Sequence, residues 1–231
     1  MMNYKELQEK LLYKKKNAFD VFSDKETDDA YDFCEGYKAF LDSAKTEREA
    51  VSACERIAID AGFEEWDENK IYKSGDSFYK INRDKSIILV KMGEKPVSEG
   101  FNLAAAHIDS PRLDLKPCPV YESGDMAYFK THYYGGIKKY QWLTIPLALH
   151  GTVILANGES VNVVIGEDEN DPVFYITDLL PHLGAEQMKK PLGEAIPAET
   201  LNVLIGSRKP SSDEIQEGVK LFALAALNER F

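Results

Sequence analysis

Apolar positions recur at two periods along the chain, and the change falls near residue 70. Between residue 3 and about 62 the spacing is helical. Ala50, Cys54, Ile57 and Ala61 stand three or four residues apart, Thr46 and Glu49 form a capping-box pair before them, and Gly62 follows as a stop. Upstream, Phe33, Tyr37, Phe40 and Leu41 keep the same period and predict a second helix laid against the same core. Beyond residue 70, "SFYKINRDKSIILVKMG" reads as two strands joined by the polar turn Asn82-Arg83-Asp84-Lys85, and "FNLAAAH" as a short buried strand. From Pro111 to about Ser207 the texture is β-rich, with "MAYFKTHYY", "IPLALHGTVILAN", "VNVVIG", "PVFYI" and "LNVLIGS" separated by Gly, Asn, Asp and Pro. Helices are expected near 178 to 190 and near 212 to 229. Helices followed by strands predict an α/β opening, and the shift in composition places a domain boundary between residues 110 and 111.

Composition narrows the class. The 231 residues suffice for one large or two modest domains, and no apolar run is long enough to span a bilayer, so no membrane association is expected. The opening "MMNYKELQEKLLYKKKNAF" mixes charge with apolar residues and lacks the continuous apolar core of a secretory signal. Cys34, Cys54 and Cys118 are odd in number and form no CxxC pair, which suits a reducing compartment. A cytoplasmic location follows as the expectation. A net charge of -11 argues against nucleic acid as a partner, because phosphates would be repelled. Lys14-Lys15-Lys16 has acidic neighbours and reads as a solvated helix face. The acidic stretch "GEDENDP", residues 166 to 172, misses the glycine and terminal glutamate of an EF-hand and reads as a solvated turn. No phosphate-binding glycine loop, GxSxG elbow or internal repeat is present.

The chemistry-bearing motif is His107-Ile108-Asp109. On a strand, residues i and i+2 emerge on one side, so an imidazole and a carboxylate would stand together there. That pair suits a metal-ligating histidine with a carboxylate that orients it, and zinc would be the natural ion. His-x-Asp is common, and the alternative is a hydrogen-bonded histidine at a strand end.

Ordered blocks around the motif supply context. "NLAAAHIDSPRLDLKP", "FKTHYYGGIKKYQWLTIPLALHGTV", "IGEDENDPVFYITDLLPHL" and "ETLNVLIGS" resemble the aspartyl aminopeptidase / aminopeptidase I family of zinc metallopeptidases. The "GGIKKYQW" stretch is most similar to bacterial members. The resemblance implies an α/β fold with a partial α/β/α catalytic layer, residues 1–110, followed by a β-rich oligomerisation domain, residues 111–231. It implies removal of amino-terminal residues from peptide substrates with two zinc ions, in large homo-oligomers. By the same resemblance His107 is a zinc ligand and Asp109 supports catalysis at the site. His132 reads as a strand histidine, or as one approaching a neighbouring subunit's site. His150 reads as a satisfied core side chain, and His182 matches a block near the subunit interface; Glu186 stands where some members carry another histidine.

Family members continue beyond the point matching Phe231 and carry their bridging aspartate, Glu-Glu pair, further acidic ligand and final histidine there. Glu64-Glu65 precedes the histidine motif and is not a substitute for that pair. The expectation is an amino-terminal portion of a zinc aminopeptidase, inactive by itself and with zinc absent or weakly held. The alternative is a non-catalytic assembly or regulatory module that retains the oligomerising β domain.

Overall fold

The computed structural model describes residues 3–210 and 217–230. The chain is a mixed α/β protein that divides into two compact units, residues 1–101 and 102–231. The division falls between Phe101 and Asn102, and the histidine motif lies in the second unit. Among the described residues no helix is long and apolar enough to cross a membrane.

In the first unit, α1 (Tyr4–Leu11) and α2 (Asp24–Ser43) precede α3 (Glu47–Asp60). A helix leaves its first amides without internal partners, and local side chains answer this twice. Ser23 and Glu26 cap α2 reciprocally, and Thr46 and Glu49 do the same for α3, as the sequence predicts for the latter. Gly62 follows α3 with a φ of 81°, a left-handed stop that suits glycine. α3 buries Ala50, Val51, Ala53 and Ala58, small residues that allow close approach to the strands beside it. Those strands are β2 (Ser77–Asn82) and β3 (Ser86–Lys91), an antiparallel hairpin with the short β1 (Glu64–Glu65) parallel to β2. Asn82 pairs with Ser86 across a three-residue loop in which Arg83 and Asp84 both take positive φ, and the Lys85 amide donates to the Asn82 carbonyl at 3.1 Å. The buried Tyr79 ties sheet to helix by donating its hydroxyl to Glu55 at 3.0 Å.

Two expectations fail in this unit or at its border. Phe33, Tyr37 and Leu41 form the apolar stripe of α2 but remain exposed, Phe33 by 75%, and only Phe40 is half-buried. Helical periodicity reports which face is apolar, not whether anything covers it. Residues 101–111 are not a buried strand: they have no regular structure, and Leu103 is 79% exposed. No described strand pairs with this segment to take its backbone hydrogen bonds.

The second unit is built on β4 (Arg112–Ser123) and β5 (Met126–Tyr134), paired antiparallel around a Gly124-Asp125 turn with positive φ at both residues. Pairing runs from Arg112 opposite Tyr134 to Leu115 opposite Thr131, then shifts register before Val120 meets Phe129. The irregularity holds Pro117 and Pro119, which cannot donate to a ladder, and Cys118 with positive φ. Those prolines hide β4 from a propensity reading. The sheet continues in the order β4-β5-β9-β8, with β8 (Tyr175–Ile176) and β9 (Val203–Gly206), while β6 (Leu149–Ile154) and β7 (Ser160–Ile165) form a separate hairpin.

Alternation along β5 turns Ala127, Phe129 and Thr131 inward, toward a core completed by Val163, Ile165, Phe174, Ile176, Ile196, Leu201 and Val203. Thr131, the buried polar residue on that face, donates its hydroxyl to the Leu201 carbonyl. α6 (Gly218–Arg230) packs on β4, β5 and β9, and Glu122 accepts from its Lys220 amide at 2.9 Å. The helix expected over 178 to 190 shrinks to α4 (Ala185–Met188), with α5 (Leu192–Ala195) following. The terminal helix is present from Gly218, and residues 212–216 of the expected span lie outside the described residues.

Candidate functional site

His107 and Asp109 sit in the irregular segment that enters β4, so a strand pleat does not bring them together. They meet by a local turn of the side chains. His107 Nδ1 lies 3.0 Å from Asp109 Oδ1 and 2.9 Å from the Asp109 backbone oxygen. Both oxygens are acceptors, so in the neutral ring the proton resides on Nδ1 and the Nε2 lone pair is committed to neither of them. The His107 side chain is 82% exposed and that of Asp109 35%.

The other oxygen of Asp109 has its own donor. Tyr134, the last residue of β5, donates its hydroxyl to Asp109 Oδ2 at 2.7 Å. That hydrogen bond first, and the one from His107 second, hold the Asp109 carboxyl below the usual carboxylate range. Arg112 lies over the Tyr134 ring at 4.1 Å and donates from Nε to Asp114 Oδ1 at 2.8 Å. Gly135 has a φ of 75° and faces Pro111, so strand end and motif run side by side. The sequence reading missed Tyr134. Its position before Gly135-Gly136 was visible, but its opposition to Arg112 depends on strand register.

The remaining candidates stay apart. His132 is exposed on β5 opposite Asp114 and stacks on Tyr133, with 5.5 Å between ring centres. His150 is satisfied, by Glu167 at 2.8 Å in the acidic turn, but it is half-buried on β6 and not the core side chain expected. That turn closes on itself, with Asp171 accepting from the Gly166 amide at 2.6 Å. His182 is exposed in a turn, Glu186 pairs with Lys189, and Glu64 pairs with Lys70. The grooves of about 470 Å³ beside Asp178 and about 300 Å³ beside Phe222 are lined by neither His107 nor Asp109.

A catalytic zinc takes about three protein ligands and an open position. Among the described residues no group of three or more His, Cys, Asp or Glu stands close enough to hold a metal ion. The arrangement at His107 is a single imidazole arm with a carboxylate behind it, and it does not by itself fit a zinc site.

Comparison with known proteins gives the chain its class. The profile "Aminopeptidase I zinc metalloprotease (M18)" matches residues 40–230. The chain belongs to the M18 aminopeptidase family, a family of zinc metallo-aminopeptidases. It is 43% identical over 225 residues to "Probable M18 family aminopeptidase 1" of Clostridium acetobutylicum, covering 96% of this chain and 48% of that one. The protein of the same name from Borrelia garinii subsp. bavariensis is 44% identical over 219 residues, covering 94% and 48%. Among solved structures, an M18 aminopeptidase from Thermotoga maritima superposes with a TM-score of 0.86 at 38% identity, covering 95% of this chain and 47% of that one. Aminopeptidase I from Clostridium acetobutylicum superposes with a TM-score of 0.83 at 40% identity, covering 96% and 49%. The chain therefore spans about half the length of the curated relatives it matches.

Proposed function

We propose that this chain is part of a cytoplasmic zinc aminopeptidase that removes amino-terminal residues from peptides, with His107 as a zinc ligand and Asp109 as the carboxylate that orients it. The observation that carries the reading is the Nδ1 contact with Asp109, which leaves Nε2 as the coordinating nitrogen. The described residues offer one such arm, and on this reading the remaining donors come from the other half of a chain of the relatives' length. Residues 1–110 then form part of the catalytic domain, in a partial α/β/α layer, and 111–231 form the assembly domain.

The experiment compares the 231-residue chain with a polypeptide extended to the relatives' length. Zinc content and chelator-sensitive release of amino-terminal residues are expected only from the longer polypeptide. Stoichiometric zinc with chelator-sensitive turnover in the 231-residue chain would overturn the division of ligands.

A second reading, an assembly or regulatory module without catalysis, draws on the absence of a three-donor group among the described residues. It leads if the native polypeptide ends at Phe231. Homo-oligomer formation belongs to both readings. Val153 and Ile154 of β6 and Val164 of β7 are exposed on a hairpin that no other described strand extends, a surface that association would cover. Light scattering should show at least a dimer, and a strict monomer at high concentration would remove this region as sufficient for assembly.

A further inference from the structure

We propose that Tyr134 is a positioning residue for this site: its hydroxyl anchors one oxygen of Asp109, turns the other toward His107, and so fixes the imidazole in its Nδ1–H tautomer. This deepens the reading of His107 as a ligand and rests on it only for what Nε2 receives; the tautomer is a property of the chain itself.

Asp109 takes this anchor from outside its own segment. It lies in a segment without regular structure, and the terminal torsion of an aspartate is broad, so its carboxylate has no preferred heading of its own. The imidazole it faces is mostly exposed, where water competes for every polar contact. Tyr134 is different in kind. It ends β5, a strand seated in the core through Ala127, Phe129 and Thr131, and its position is set by pairing with Arg112. The guanidinium lies over its ring, and Gly135 beside it faces Pro111 so that an added methyl group would just touch the proline. The hydroxyl is thus delivered by the rigid part of the unit to the irregular part, 25 residues earlier in sequence. With Oδ2 taken at 2.7 Å, Oδ1 and the backbone oxygen of Asp109 both face Nδ1. An isolated histidine side chain prefers the proton on Nε2, so the arrangement opposes the intrinsic preference. The result is a bare Nε2, the form a metal ion requires.

The test reads the tautomer directly. In the 231-residue chain labelled with ¹⁵N-histidine, long-range ¹⁵N–¹H correlation at a pH where the rings are neutral should show His107 as Nδ1–H. Tyr134→Phe, which keeps the ring under Arg112, should move the His107 tautomer ratio several-fold toward Nε2–H while core amide resonances stay in place. An unchanged ratio in the folded variant would overturn the assignment. If that variant fails to fold, the ¹³Cζ resonance of Tyr134 is compared between the unaltered chain and Asp109→Asn. It should move when the charged acceptor is lost, and a resonance that stays put overturns the proposal equally. At the relatives' length, Tyr134→Phe should also weaken zinc binding about 10- to 100-fold, as loss of an orienting partner does. Unchanged zinc affinity alongside a shifted tautomer would sink the ligand reading of His107 and leave the role of Tyr134 standing.

Discussion

Arg112 and Tyr134 stand directly opposite one another where β4 meets β5, with the guanidinium carbon 4.1 Å from the ring centre. The pairing that holds the sheet together therefore also aims the hydroxyl that meets Asp109. A one-residue slip would send Tyr134 to the opposite face, because side chains alternate along a strand. The site is a product of register.

At the relatives' length, His107→Ala should lower zinc content and peptidase activity together, whereas Asp109→Asn should retain some metal. Loss of the orienting carboxylate typically costs about 10- to 100-fold in affinity or activity. Metal analysis with a peptide assay checks both. Full zinc and turnover in the His107 variant would refute the assignment.

Thr131→Val removes the buried hydroxyl that the Leu201 carbonyl accepts, with little change of shape. The carbonyl is then left without that donor, and the expected loss of stability is about 1–3 kcal/mol. Urea denaturation reads it. A loss below about 0.5 kcal/mol would mean that another group takes over the carbonyl.

Thr46→Ala opens the capping box at the start of α3, where the Thr46 hydroxyl accepts from the Glu49 amide and Glu49 answers to the Thr46 amide at 2.9 Å. The helix buries four small residues against the hairpin, so its fraying should be felt by the whole unit. A cost of about 1 kcal/mol is expected. Faster amide exchange in the first turn of α3 should accompany it, and unchanged exchange would show the cap to be redundant.

Lys116 donates to Glu199 at 2.7 Å and holds its carboxyl below the ordinary carboxylate range. A lowered folded value means a contribution that is present above about pH 4.3, the ordinary glutamate value, and lost as pH falls through the folded one. Glu199 is exposed, so the contribution is small. Lys116→Met should return the Glu199 titration, followed by ¹³C resonance, toward the ordinary value. A titration that does not move would exclude Lys116 as the cause.

Interactions three or four residues long were legible in the sequence because they are chemically complete within a short window. Thr46 with Glu49, the Asn82 to Lys85 turn and the Gly62 stop are of this kind. The His107-Ile108-Asp109 pair was visible too, but its two side chains meet in an irregular segment and not on the strand expected for them. Its ordered surroundings also indicated the family, because motif order survives in a linear reading.

The tertiary structure decided what depends on partners distant in sequence. Pro117 and Pro119 argue against a strand locally, yet β4 forms because β5 pairs with both sides of the irregularity between Leu115 and Val120. The aromatic stripe of α2 is apolar by sequence and uncovered in its unit, since coverage is a property of neighbours. Asp109 finds Tyr134, Thr131 finds Leu201 and His150 finds Glu167 only once strands are in register. A periodic pattern encodes which face of an element is apolar, whereas a site needs the relative placement of several elements, and that placement comes from the packing that closes the chain on itself.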